Sequence, residues 1–160
     1  MRRQQMSFIF NALDDREFSH LYGLSDAELA AQGVVTRIAD SPSFPCRVTL
    51  EGARIGERVL LLNHTHLDVN SPYRASYAIY VRDGAKTRRL APGELPDYLQ
   101  NAQIALRAFD RKALLVAYQL TPGSDAHDYL DEMLAQPEVA HVDVHFAGPG
   151  CYFGRVTRCP

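Results

Sequence analysis

The chain has 160 residues, a net charge of −2 and three cysteines, a size that suits one domain spanning residues 1–160 and able to bury roughly 70% of its unfolded surface. That balance leaves no broad basic field for nucleic acid or an anionic membrane. Cysteines at 46, 151 and 159, with no C-x-x-C spacing, build neither a disulfide framework nor a zinc knuckle.

The basic start, Met1-Arg-Arg-Gln-Gln-Met6, is followed only by Phe8-Ile9-Phe10, whereas a signal peptide needs an apolar run of about 7–15 residues. No stretch approaches the ~20 apolar residues of a membrane span, so a cytoplasmic protein is expected. Residues 7–13 alternate weakly through Phe8 and Phe10 and predict a short edge strand. Asp14–Tyr22 reads as a helix, with Phe18, Leu21 and Tyr22 on one stripe and Gly23 as its stop. A second helix starts at Ser25-Asp-Ala-Glu28, a capping box in which the serine hydroxyl accepts from the residue-28 amide while Glu28 reaches back. Leu24 and Leu29 stand where a hydrophobic staple would, and Gly33 closes the helix.

From Val34 the period becomes that of strands. Val34–Ile38, Cys46–Leu50 and Glu57–His64 are parted by the turn-rich Asp40-Ser-Pro-Ser43 and Glu51–Gly56. Val59-Leu-Leu-Leu62 is apolar on both faces, as in a central strand covered on both sides. Its far end is expected to deliver Asn63, His64 and His66 into a polar loop, Thr65–Tyr73. Tyr77–Arg82 alternates as a strand and Asp83-Gly84 turns. Pro96–Gln100 forms a helical turn, and Ile104–Phe109 and Leu114–Leu120 flank Asp110-Arg-Lys112 as a hairpin. Ser124 or Asp125 then caps a helix to Ala135, whose Ala126, Tyr129, Leu130, Met133 and Leu134 share a core-facing stripe.

Pro137 ends that helix, and the last stretch is a second hairpin, His141-Val-Asp-Val-His145-Phe turning through Ala147-Gly-Pro-Gly150 into Cys151–Val156. Side chains on a strand switch faces at every step. His141, Asp143 and His145 therefore line one face, and Val142, Val144 and Phe146 the other. Two imidazoles and a carboxylate on one strand face are the main functional hint in the chain. The fold class that fits is α+β, with a largely antiparallel sheet that could curl toward a barrel and two or three short helices.

Five stretches carry a resemblance: Phe44-Pro-Cys-Arg47, Val59-Leu-Leu-Leu-Asn63, Ser71-Pro-Tyr-Arg-Ala-Ser76, Leu106-Arg-Ala-Phe-Asp110 and the His-x-x-x-His…Pro-Gly-Cys hairpin. Together they resemble a bacterial family catalogued as domain of unknown function 1203, over about residues 8–158. The resemblance implies a small cytoplasmic domain and supplies no activity. Where the family pattern often has an Asn and an Arg between the second His and the Pro-Gly-Cys, Phe146 and Gly148 stand here, and Tyr77 replaces a glycine.

Three chemistries compete. A metal would have to take Asp143 with one flanking histidine and His64 or His66. The reason is that His141 and His145 lie about 13 Å apart on a strand rising ~3.3 Å per residue, beyond one zinc ion with ligands at roughly 2 Å. No ligand motif supports it, so neither a metal nor a cofactor is expected. A nucleophilic Cys46 or Cys151 would need a base from His64, His66, His141 or His145, although free cysteine more often packs as a small hydrophobe. The third is an anion pocket built on Arg47, Arg74 and Arg107, since the planar guanidinium fork donates two parallel hydrogen bonds to a carboxylate or phosphate. The reading adopted is a small anionic metabolite bound by Arg47, Arg74, His64, His66, Tyr73, Ser76 and Asp143. If chemistry follows, the acid, base or nucleophile is sought among His145, His141, Cys46 and Cys151. The alternative is a non-catalytic interaction or structural module.

Overall fold

The computed structural model describes residues 7–160, so the basic start at Met1–Met6 lies outside the described residues. Strand β1 (Phe8–Asn11) forms where Phe8 and Phe10 alternate inward. Helix α1 (Asp26–Ala30) has the capping box read from the sequence, with Ser25 Oγ accepting from the Glu28 amide at 3.1 Å. Leu24 and Leu29 join one apolar cluster. Strands β2 (Val35–Ile38), β3 (Arg58–Leu67) and β4 (Ala75–Arg82) follow. Next come β5 (Gln103–Phe109) and β6 (Leu115–Pro122), helix α2 (Ala126–Ala135), and strands β7 (His141–Phe146) and β8 (Tyr152–Arg158).

Three expectations are corrected. Asp14–Tyr22 is two 3₁₀ turns, Asp15–Glu17 and Ser19–Leu21, and not one helix. The Asp14 carboxylate caps the first turn, Thr87 pins Asp15, and Phe18 leaves helical geometry to enter the core. Cys46–Leu50 is a closed loop and not a strand. The Leu50 amide donates to the Cys46 carbonyl, the Cys46 amide donates to the Glu51 carbonyl, and Leu50 takes a φ of 60°. The loop is wedged into the interior, so Cys46, Arg47, Val48 and Leu50 are all buried without strand alternation. Finally, His64 and His66 belong to β3 itself, which bulges between Thr65 and Leu67 instead of ending at His64.

The strands form two antiparallel sheets, one ordered β1-β8-β7-β5-β6 and one ordered β2-β3-β4. β3 is central, as its apolar run required. The sheet does not curl into a closed barrel: among the described residues no strand pairing joins the two sheets, and an isolated bridge from Cys46 to Tyr80 ties the loop to β4. No helix among the described residues is long and apolar enough to cross a membrane.

Helix α2 covers one face of the larger sheet. Its Ala126, Leu130, Met133 and Leu134 pack on Ile104 and Leu106 of β5 and on Val142 and Val144 of β7. The Phe10 ring crowds Gly154: a β-carbon there would come within 2.7 Å of its Cζ and closer still to its Cε1. Gly154→Ala is therefore expected to destabilise the protein by about 1–3 kcal/mol, the usual cost of overpacking. Urea unfolding measures this, and pairing the change with Phe10→Leu should recover part of the loss.

Candidate functional site

The other face of the larger sheet carries the polar residues. By register, Arg107 lies opposite Asp143 on one side and Tyr118 on the other, while Asp143 also lies opposite Arg155. This face meets β3. The His66 ring stacks on Tyr152 at 5.0 Å between centroids and 12° between planes, and Arg155 Nη2 donates to the His66 carbonyl at 3.1 Å. A band of histidines, arginines and one carboxylate is thus closed between the sheets, where a two-faced strand would ordinarily meet water.

Asp143 is fully buried and takes a two-pronged bond from Arg155, at 2.8 Å from Nε to Oδ1 and 3.2 Å from Nη2 to Oδ2. Burial alone would raise its carboxyl; Arg155 and the neighbouring His141 outweigh burial and hold it below the ordinary carboxylate value. The His141 Nε2 stands 3.6 Å from Oδ1, too far for a hydrogen bond, so Arg155 is the partner that matters.

The imidazoles of His66 and His145 are both pushed down to about 4, chiefly by burial. Burial also lowers His64. At neutral pH these rings are uncharged. His145 Nδ1 lies 2.9 Å from the Gly150 carbonyl, which can only accept. The proton therefore sits on Nδ1, leaving Nε2 as a lone-pair acceptor.

Two cavities flank the hairpin. The larger, about 490 Å³, is walled by Tyr77, Tyr80, Tyr98 and Phe146, with Arg47 and Cys151 among its lining. Arg47 is 1% exposed. Its Nε donates to the Tyr152 carbonyl at 2.8 Å and its Nη1 to the Pro45 carbonyl at 2.6 Å, and the guanidinium lies 5.4 Å from the Phe146 ring centre. Among the described residues no Asp or Glu pairs with it. Burial disfavours its charge, and the charge-supporting neighbours are the thiols of Cys151 and Cys46 and the phenol of Tyr98. The smaller cavity, about 260 Å³, is lined by His66, Tyr73, Arg107, Phe109 and His145 among others.

The candidate residues therefore do not share one hollow. Arg47 and Cys151 line the larger cavity, His66, Tyr73 and His145 the smaller, and His64 a third opening beside Phe18 and Asn63. Arg74 is 65% exposed and pairs with Asp68 at 3.3 Å. Ser76 is exposed on β4. Asp143 is spent on Arg155, and His141 stacks on Phe109. Cys46 is wholly buried, its sulfur accepting from the Arg82 amide at 3.2 Å. No histidine lines the cavity that holds Cys151, so the described residues form no cysteine–imidazole pair there. Nor does any group of three or more His, Cys, Asp or Glu among them have an arrangement that could hold a metal ion.

Sequence reasoning missed the aromatic wall and Arg155. The tyrosines come from β4 and from the 3₁₀ turn at Asp97–Asn101, which no local pattern brings together. Arg155 had a usable signal: a hairpin pivoting on Pro149 sets it across from Asp143.

A family model described as a protein of unknown function (DUF1203) matches residues 43–158. This is narrower than the stretch the motifs marked, and it takes in both cavities and the polar band while leaving out β1, α1 and β2. No curated protein and no solved structure matches the chain.

Proposed function

This chain belongs to the DUF1203 family, a grouping that assigns no activity, and from its larger cavity we propose that the protein binds a small molecule with an apolar, ring-sized body and an anionic end. The observation that carries this is Arg47. A guanidinium stays protonated in proteins, and a buried charge is ordinarily paired because its desolvation is costly. Among the described residues Arg47 has two backbone carbonyls, two aromatic rings and the Cys151 thiol for company but no carboxylate. A carboxylate or phosphate entering the cavity would supply the counter-charge, held by the remaining N–H groups of the fork. The aromatic wall suits the rest of such a ligand, and about 490 Å³ falls within the range of small-molecule pockets, roughly 300–1,000 Å³. Binding of this kind asks for no catalytic group.

The competing reading is that Arg47 only pins the Pro45–Leu50 loop to β8. Thermal shift and calorimetry with benzoate, phenylacetate and cinnamate, each beside its uncharged primary amide, separate the two. The acids should raise the melting temperature and the amides should not. At a hundredfold excess over the dissociation constant, mass action adds about 2.7 kcal/mol, or roughly 5–10 °C for a chain of this size. Ala78 is exposed and lines the cavity, so Ala78→Trp fills the space without disturbing the core and should abolish the response. Equal shifts from acid and amide, or an unchanged response in Ala78→Trp, would leave Arg47 as a structural pin.

A further inference from the structure

We propose that the smaller cavity is a separate site for a small oxyanion, held by Arg107 between the two sheets. The charges of the band lead to it. Its cations are Arg107 from β5 and Arg155 from β8, and its one carboxylate is Asp143 from β7. Asp143 gives both oxygens to Arg155, which leaves Arg107 half-buried, with no ion pair and no side-chain hydrogen bond among the described residues. The other polar side chains that line the space are His66 from β3, His145 from β7 and Tyr73; the two imidazoles are uncharged at neutral pH, and the Tyr152 phenol and the His64 ring stand behind them, outside the lining. His141 and Glu17 lie farther out, the first against Phe109 and the second beside the His64 opening. One positive charge is left over, and it lines a hollow.

The size of the hollow limits what can enter. At about 260 Å³ it takes a compact anion, a short carboxylate or a tetrahedral oxyanion, and not a nucleotide. Its lining includes the guanidinium side chain of Arg107 and the ring of His145, whose Nε2 carries the free lone pair. That nitrogen accepts a hydrogen bond from a hydroxyl or takes up a proton and then donates. An anion with one protonated oxygen, or one that arrives with a proton for the imidazole, is matched at both ends.

This pairing has a thermodynamic consequence. Arg107 adds to the burial that keeps both imidazoles neutral. An anion on the guanidinium cancels that contribution and makes His66 and His145 more basic, so binding draws in a proton. By linkage, a proton taken up on binding means that affinity rises as the pH falls.

Formate and sulfate are suitable probes, being small and of constant charge from about pH 7 to about pH 5.5. The imidazole carbon-bound protons of His66 and His145, followed by NMR and assigned with His66→Gln and His145→Gln, should shift saturably on titration. The dissociation constant should fall, not rise, between about pH 7 and about pH 5.5, the direction that linkage requires. Arg107→Gln should lose the response while the rest of its spectrum stays native. Ala78→Trp should leave it unchanged, which separates failure here from failure of the Arg47 reading. A linear, unsaturated drift for both anions would mean ionic screening only. That result, or an equal response in Arg107→Gln, would overturn the site.

Discussion

Arg155→Met is expected to destabilise the protein by about 3–5 kcal/mol, the cost of stranding one partner of a buried ion pair. The two partners are unequal. Asp143 is fully buried, whereas the Arg155 side chain is 32% exposed and can turn toward water once its carboxylate is gone. Removing the arginine leaves a carboxylate whose next polar partner among the described residues is the His141 nitrogen at 3.6 Å; removing the aspartate leaves a cation with a route to solvent. Asp143→Asn should therefore cost less than Arg155→Met. The double change Asp143→Leu with Arg155→Met should recover much of the loss, because an apolar pair of similar volume replaces a desolvated one. In Arg155→Met the stranded carboxyl is pushed up by burial, so its penalty should shrink at low pH, where it binds a proton. Urea unfolding of the four proteins at two pH values tests this. Equal single-mutant losses would show that the pair is not as dry as its geometry implies.

The second large effect is an acid transition set by histidine. His66 and His145 sit at about 4 in the folded protein and near 6.5 in the unfolded chain. Between those values the unfolded state binds more protons, so stability is complete above about pH 6.5 and is lost as the pH falls toward about 4. For His145, which is 1% exposed, that loss approaches about 3 kcal/mol at 1.36 kcal/mol per unit. His66 is more open and contributes less, because solvent screens part of its cost. Asp143 acts in a lower window, since its depressed carboxyl holds its contribution until the pH falls through the folded value. His145→Gln keeps a donor for the Gly150 carbonyl and does not titrate. It should lose stability at neutral pH through poorer packing, yet lose about 2–3 kcal/mol less than wild type between about pH 7 and about pH 4.5. Parallel curves for the two proteins would mean that His145 meets water.

The same residues show why the sequence went only part of the way. The alternation of His141–Phe146 was legible because strand geometry is local, and the face it put His141, Asp143 and His145 on is the face observed. What covers that face is decided by β3, some eighty residues earlier in the chain, and no periodicity within the hairpin carries that information. Cys46–Leu50 failed for the opposite reason. Its residues have strand composition, but tertiary wedging buries them on every side and leaves no alternating pattern to mark the loop.

From the sequence alone came the α+β class, the antiparallel hairpins, the capped helix α1, the core stripe of α2 and the family. Each of these rests on neighbours within a few residues or on short motifs. Tertiary structure alone decided that Arg47 faces an aromatic cavity with no carboxylate partner among the described residues, that Asp143 is committed to Arg155, that Arg107 is left over, and that Arg74 lies out on the surface. Whether a charge is paired or free depends on which distant segment arrives opposite it and how much water that segment removes, and that is a property of the packed chain.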